Sequence, residues 1–218
     1  MEPKLEIDAE ALMSFMVDAL EKQQDIYGPV FPRMIAKYAV EFESKKIKDS
    51  SPPQVENLEQ ARDYITKNLD KYPDGFASLL YGTALAIDML EGKLGSGARS
   101  THQQSMKELA AKTSQVKTVN TAETYKQQIE ILKSMHLIAG EQSVSGDGES
   151  ATVKTRNCHF WEACDAIAKK GIRVIGGGFE CVVARGGATS TELATGTPHD
   201  FELIEFKPPN CVYKLFRV

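Results

Sequence analysis

Near His136 the hydrophobic pattern of this chain changes period, and that change constrains the fold more than any single motif does. Upstream, apolar residues recur every three or four positions, as the buried side of a helix requires. Downstream they alternate, as one face of a strand requires. LIAGEQSV and SATVKTR flank SGDGE, whose Gly146-Asp147-Gly148 suits a hairpin turn. FELIEF and CVYKLFRV alternate around Pro208-Pro209 and read as a closing hairpin. The pattern predicts strands near 137–145, 150–157, 200–206 and 210–217. Antiparallel pairing with intervening helices makes this an α+β fold, a helical layer packed on a four-stranded antiparallel sheet.

The upstream half reads as helices. Leu12, Phe15, Met16, Ala19 and Leu20 recur at helical spacing after a cap at Asp8, and Tyr27-Gly28-Pro29 ends that segment. A second stripe follows at Val30, Met34, Ile35, Tyr38 and Phe42. Ser51-Pro52-Pro53 cannot continue a helix and marks a linker. Asn57 caps a helix through Leu58, Ala61, Ile65 and Leu69. Pro73-Asp74-Gly75 separates it from another with Leu79, Leu80, Thr83, Ile87 and Leu90 on one side. A polar helix is expected at 103–112, and one from Asn120 to Met135 opens with Asn120 and Glu123 at capping-box spacing. Short helices over Phe160–Lys170, closed by Gly171, and through Phe179, Val182, Val183 and Leu193 complete the set. The expected organisation is an N-terminal helical part, 1–119, and an α+β cysteine-bearing part, 120–218, sharing one core.

Composition removes several function classes. A net charge of −4 and a single short basic run, Lys45–Lys48, leave no electrostatic footprint for nucleic acid. No apolar run reaches the length of a membrane span. The opening MEPKLEIDAE lacks the basic and apolar parts of a signal peptide, so a cytoplasmic location is expected. In a reducing compartment the cysteines are read as thiols or metal ligands and not as a disulfide framework.

Three of the 4 cysteines and the only tryptophan fall between Arg156 and Cys181, in RNCHFWEACDAIAKKGIRVIGGGFEC, and the last is Cys211. The spacing C-x5-C-x16-C-x29-C contains no C-x2-C knuckle, so it is neither a zinc ribbon nor a ferredoxin run. On one helix, residues six apart differ by about 240° in direction and roughly 9 Å in rise. Cys158 and Cys164 can therefore share a metal only if Cys158 precedes the helix, with Asn157 as its N-cap. Cys181 opens the next helix, where a thiolate is favoured, and Cys211 opens the last strand. Two readings stand: Cys158, Cys164, Cys181 and Cys211 hold a metal, or they are small buried hydrophobes.

Other features carry less. Gly176-Gly177-Gly178 follows IRVI as a phosphate loop would, but the pattern then meets Cys181 where a glycine is needed, and too little chain remains for a nucleotide fold. His102, His136, His159 and His199 are scattered without metal-ligand spacing. His159 adjoins Cys158, although neighbours on a helix do not face one another. Met13, Phe15, Met16, Met34, Tyr38, Phe76, Tyr81 and Met89 supply adaptable apolar side chains that either line a ligand pocket or fill the core.

From Asn120 onward the order of elements resembles the 4-vinyl-reductase or hydrocarbon-binding domain family. The resemblance rests on a helix followed by a hairpin, an N-C-x-F/Y helix start at Asn157, Cys158 and Phe160, a second helix bearing Cys181, and the ending C-x-Y-K-x-F at Cys211, Tyr213, Lys214 and Phe216. Aminothiazoline carboxylate hydrolase-like proteins show a related ending, as more distantly do the trafficking-complex and haem–nitric-oxide-binding folds. Pro209-Asn210 stands where the family has Gly-Asp before its last cysteine. The resemblance implies a helical layer on the sheet enclosing a pocket for a small apolar ligand, a frequent homodimer, and a metal held at Cys158, Cys181 and Cys211, with Cys164 an addition. Zinc and an iron–sulfur cluster are equally served by thiolates.

The leading expectation is a cytoplasmic small-molecule-binding or sensor protein with a cysteine-held metal. One rival is a thiol-dependent hydrolase or reductase of a small heterocycle that uses Cys158 with His159. The other is a structural assembly subunit with inert thiols.

Overall fold

The computed structural model describes residues 13–14, 17–18, 20–67, 74–94, 120–134, 140–172 and 181–218. The elements are α1 (Gln24–Tyr27), α2 (Val30–Ile47), α3 (Leu58–Lys67), α4 (Asp74–Leu94), α5 (Thr121–Ser134), β1 (Glu141–Gly146), β2 (Ser150–Arg156), α6 (Trp161–Lys169), α7 (Val182–Thr195), β3 (His199–Lys207) and β4 (Asn210–Arg217). They divide into two compact units. One holds α1 to α4 together with residues 162–170, nearly all of α6, so this stretch of the cysteine-bearing half groups with the helical part. The other holds α5, the sheet and α7.

In the helical unit α2 packs on α3 and α4. Its inward side is Phe31, Ile35, Ala36, Ala39 and Val40; of the expected stripe Ile35 is buried there, while Val30 is exposed and Met34, Tyr38 and Phe42 are half-buried. Close backbone approach sets this face: a Cβ on Gly82 of α4 would overlap the Ile35 carbonyl oxygen and lie 3.1 Å from the Ala39 amide. Phe42 and Tyr81 stack with ring centroids 4.8 Å apart. Glu43, buried on α2, accepts the Ser78 hydroxyl at 2.5 Å. Asn57 caps α3 as expected, its Oδ1 accepting the Gln60 amide at 2.9 Å. Met13 and Tyr81 of the expected pocket set are buried, whereas Met89 is exposed. Phe15, Met16 and the Phe76 side chain lie outside the described residues, as do the Asp8 cap and the 103–112 helix.

The second unit carries the antiparallel sheet that the alternation predicts, in the order β1-β2-β4-β3. Residues 137–139 of the expected first strand lie outside the described residues. In the β1–β2 turn the Asp147 carboxylate accepts the amides of Glu149 and Ser150 at 3.0 and 2.9 Å. Gly146, at φ 144°, brings the two strands too close for a side chain there. The buried face is Ala151, Val153 and Thr155 of β2, Cys211, Tyr213 and Leu215 of β4, and His199, Phe201 and Leu203 of β3. A bulge between Leu203 and Glu205 interrupts the β3–β4 register.

Helix α5 packs on β1 and β2, and α7 packs on β3, β4 and α5. Asn120 caps α5, its Oδ1 accepting the Glu123 amide at 2.9 Å. Leu193, expected on the inner face of α7, is exposed. Arg185 of α7 is buried, paired with Asp200 at 2.8 Å, and sits over the Phe201 ring.

Candidate functional site

The register of the sheet builds a row across three strands. Gln142 lies opposite Thr155, and Thr155 lies opposite Cys211. One step along, Val144, Val153, Tyr213 and Leu203 form the next row. Because side chains alternate, Cys211 and Tyr213 share the buried face of β4.

After Arg156 the chain leaves β2 through Asn157, whose φ of 50° is left-handed. Asparagine tolerates that conformation, and the Asn157 amide is held at 3.2 Å by Oδ1 of Asn210. Asn157 is therefore a turn residue and not the helix cap expected of it; α6 begins only at Trp161, whose amide bonds to the Cys158 carbonyl at 3.1 Å. The turn places the Cys158 amide 2.8 Å from the Pro209 carbonyl and brings its thiol beside that of Cys211. Cys158 thus sits in the loop before the helix, with its sulfur close enough to Cys211 to act on that thiol electrostatically. The Cys158 sulfur and burial push the Cys211 thiol well above the usual thiol range, while the Thr155 hydroxyl opposes the shift. That hydroxyl, buried, has no hydrogen-bond partner among the described residues.

Two tyrosines close the other side. Tyr125 of α5 and Tyr213 of β4 meet edge to face, hydroxyl to hydroxyl at 2.5 Å, and the Tyr125 hydroxyl lies 3.5 Å from Gln142 Oε1. Tyr213 donates to Tyr125, which donates to Gln142. Burial pushes both phenols well above their usual range, and Cys181 and Cys211 are close enough to add to the shift. Both tyrosines stay neutral. Gly187 of α7 makes room for Tyr125, since a Cβ there would overlap its ring.

The structure thus brings Cys158 and Cys211 together and sets Cys181, at the N-cap of α7, within electrostatic range of the tyrosines that Cys211 also faces. Cys164 is buried on α6 in the stretch that groups with the helical unit. All 4 cysteines are buried thiols, with no disulfide between them. Among the described residues no group of three or more His, Cys, Asp or Glu side chains is arranged to hold a metal ion. His159 is exposed beside buried Cys158, an arrangement that does not make a nucleophile–base pair. Phe160 is buried and Trp161 half-buried. Gly176-Gly177-Gly178, His102 and His136 lie outside the described residues.

Tyr125, Gln142 and Thr155 were not singled out by sequence reasoning, and Tyr213 entered only as part of the C-x-Y-K-x-F ending. The available signal was the strand alternation itself, which puts Thr155 on the face of Val153 and Tyr213 on the face of Cys211. Comparison of the chain with protein-family models, curated proteins and solved structures returned no match. Among the described residues no helix is long and apolar enough to cross a membrane.

Proposed function

We propose that this chain is a small-molecule-binding or sensor protein whose responsive element is the Cys158–Cys211 thiol pair, with the two sulfurs serving as ligands to a soft metal ion. The observation that carries the reading is the meeting of those thiols at the end of the central strand pair. Thiolate donors select soft ions. A tetrahedral zinc site or an iron–sulfur cluster needs further donors, and no group of three is present among the described residues. The pair by itself suits an ion content with two sulfurs, of the copper(I) class. Such an ion would join the β2–α6 loop to β4, so that binding is felt as stability.

The resemblance to hydrocarbon-binding domains supports an apolar ligand as the second part of this reading, carried by α5 and α7 over the sheet. A cytoplasmic setting belongs to the same proposal, supported by four buried thiols without a disulfide. A homodimer is part of it on the resemblance alone.

The test is anaerobic titration of reduced protein with copper(I), followed by charge-transfer absorption and elemental analysis. The expected result is a single tightly held ion per chain that is lost in Cys158→Ser and in Cys211→Ser. Metal-free protein with no spectral change and unreactive thiols would overturn the reading in favour of a structural subunit. Thermal shifts against long-chain and aromatic compounds test the apolar ligand.

A further inference from the structure

We propose that Cys158 and Cys211 form a reversible disulfide when the protein meets a hydroperoxide, making the end of the β2–β4 pair a redox-responsive clasp. The inference rests on the same thiol pair as the metal reading but needs no metal.

Three observations carry it. First, the chain geometry makes the pairing local. Thr155 lies opposite Cys211, the left-handed turn at Asn157 reverses the backbone, and the Cys158 amide is pinned to Pro209 at 2.8 Å. The Asn157 amide is likewise held by Asn210, so the loop bearing Cys158 is fixed against the chain just before Cys211. A disulfide needs its two α-carbons within about 4.4–6.8 Å, and the tie to Pro209 holds Cys158 against the chain two residues before Cys211. Second, Cys158 is buried but lies in a loop between exposed Asn157 and His159, so the loop side is the face from which an oxidant would approach it. Third, the buried Thr155 hydroxyl, opposite Cys211 in the register, has no hydrogen-bond partner among the described residues, an unusual state for a polar group in a packed core.

The chemistry balances in two steps. The Cys158 thiolate attacks the terminal oxygen of the hydroperoxide, the O–O bond breaks, and the alkoxide leaves and takes up a proton as the alcohol. Cys158 is now a sulfenic acid. The Cys211 sulfur then attacks the Cys158 sulfur, the S–S bond forms, and hydroxide leaves with the Cys211 proton as water. Two thiols and one hydroperoxide give one disulfide, one alcohol and one water. Thiol–disulfide exchange with a small dithiol reverses it.

The experiment uses the full chain, reduced and held in chelator, so that failure here and failure of the metal reading are separate outcomes. Hydrogen peroxide is added, remaining thiols are alkylated, and intact mass and peptide maps are recorded. The expected result is a fall from four alkylatable thiols to two, a Cys158–Cys211 cross-linked peptide, and full return with dithiothreitol. The Cys164→Ser/Cys181→Ser variant should behave as the parent does. Cys211→Ser should instead accumulate a sulfenic acid at Cys158, captured by a dimedone probe. Oxidation that ends in sulfinic or sulfonic acids, a disulfide joining other cysteines, or an unchanged thiol count under the same treatment would each overturn the proposal.

Discussion

His199 Nε2 lies 2.9 Å from Thr121 Oγ1, which joins the first residue of β3 to the first residue of α5. The other ring nitrogen lies 2.6 Å from the Thr197 carbonyl. The neutral ring donates from Nδ1 to the Thr197 carbonyl and leaves Nε2 to share the single Thr121 hydroxyl proton with the Gly148 carbonyl, 3.0 Å from Oγ1.

Stability should therefore fall as the solution is acidified. Burial, reinforced by Arg217, holds His199 below the usual histidine range, against the pull of the Thr197 carbonyl and of Glu192. Because the unfolded chain binds the proton more readily, the histidine term is absent above the unfolded pKa of about 6.5. Below it, stability is lost until the pH passes the depressed folded pKa, where the loss levels off. Urea unfolding across that range should show the slope in the parent and a flatter line in His199→Gln. Equal slopes would remove His199 as the cause.

Adjacent glycines in α7 should respond with opposite signs. An added Cβ at Gly186 meets nothing, whereas one at Gly187 overlaps the Tyr125 ring. Gly186→Ala should stabilise the protein by about 0.5–1 kcal/mol through helix propensity. Gly187→Ala should destabilise it by about 1–3 kcal/mol through overpacking. Denaturant midpoints at constant m-value decide this, and a gain at both positions would show that α5 and α7 do not approach as described.

The tyrosine pair should behave as a unit. Tyr213→Phe strands a buried hydroxyl partner and should cost about 1–3 kcal/mol, and Tyr125→Phe should do likewise. The double variant should cost less than the sum, giving a coupling of about 0.5–3 kcal/mol in a double-mutant cycle. Additive losses would mean that the 2.5 Å contact contributes nothing.

Cys164→Ser and Cys181→Ser should leave copper(I) stoichiometry as in the parent, because the proposed ligands are Cys158 and Cys211 and no group of three or more His, Cys, Asp or Glu side chains is arranged for a metal among the described residues. Elemental analysis after gel filtration reads this. Loss of the ion in either variant would restore the larger cysteine site expected from the spacing.

Much of the fold was legible because alternation and capping are local. Gly146-Asp147-Gly148, the Asn57 and Asn120 caps and the strands over β2, β3 and β4 all follow from neighbours in sequence. The inner face of α2 was legible at Ile35 alone, because the close approach of Gly82 on another helix to Ile35 and Ala39 sets the rest of the face, and hydrophobic spacing also placed Val30, Met34, Tyr38 and Phe42 there. Asn157 has the chemistry of a cap and of a left-handed turn, and only its tie to Asn210 decides between them. The Cys158–Cys211 meeting depends on β4 lying beside β2, a choice of strand order that cysteine spacing does not encode. The meeting of Tyr125 with Tyr213 was not legible either, because each reads as ordinary core until its partner is known.

The strand order has one more consequence. Among the four strands, β1 pairs only with β2, and β3 pairs only with β4. Ribosomal synthesis delivers β3 before its sole neighbour exists, and it leaves β2 with one flank open through the whole of α6 and α7. The nascent chain therefore holds a finished hairpin and a waiting strand until residues 210–217 emerge and enter between them. Each of the two waiting strands exposes a row of unsatisfied amides and carbonyls during that interval, so the period before β4 is made is when this polypeptide is most open to pairing with a neighbouring chain.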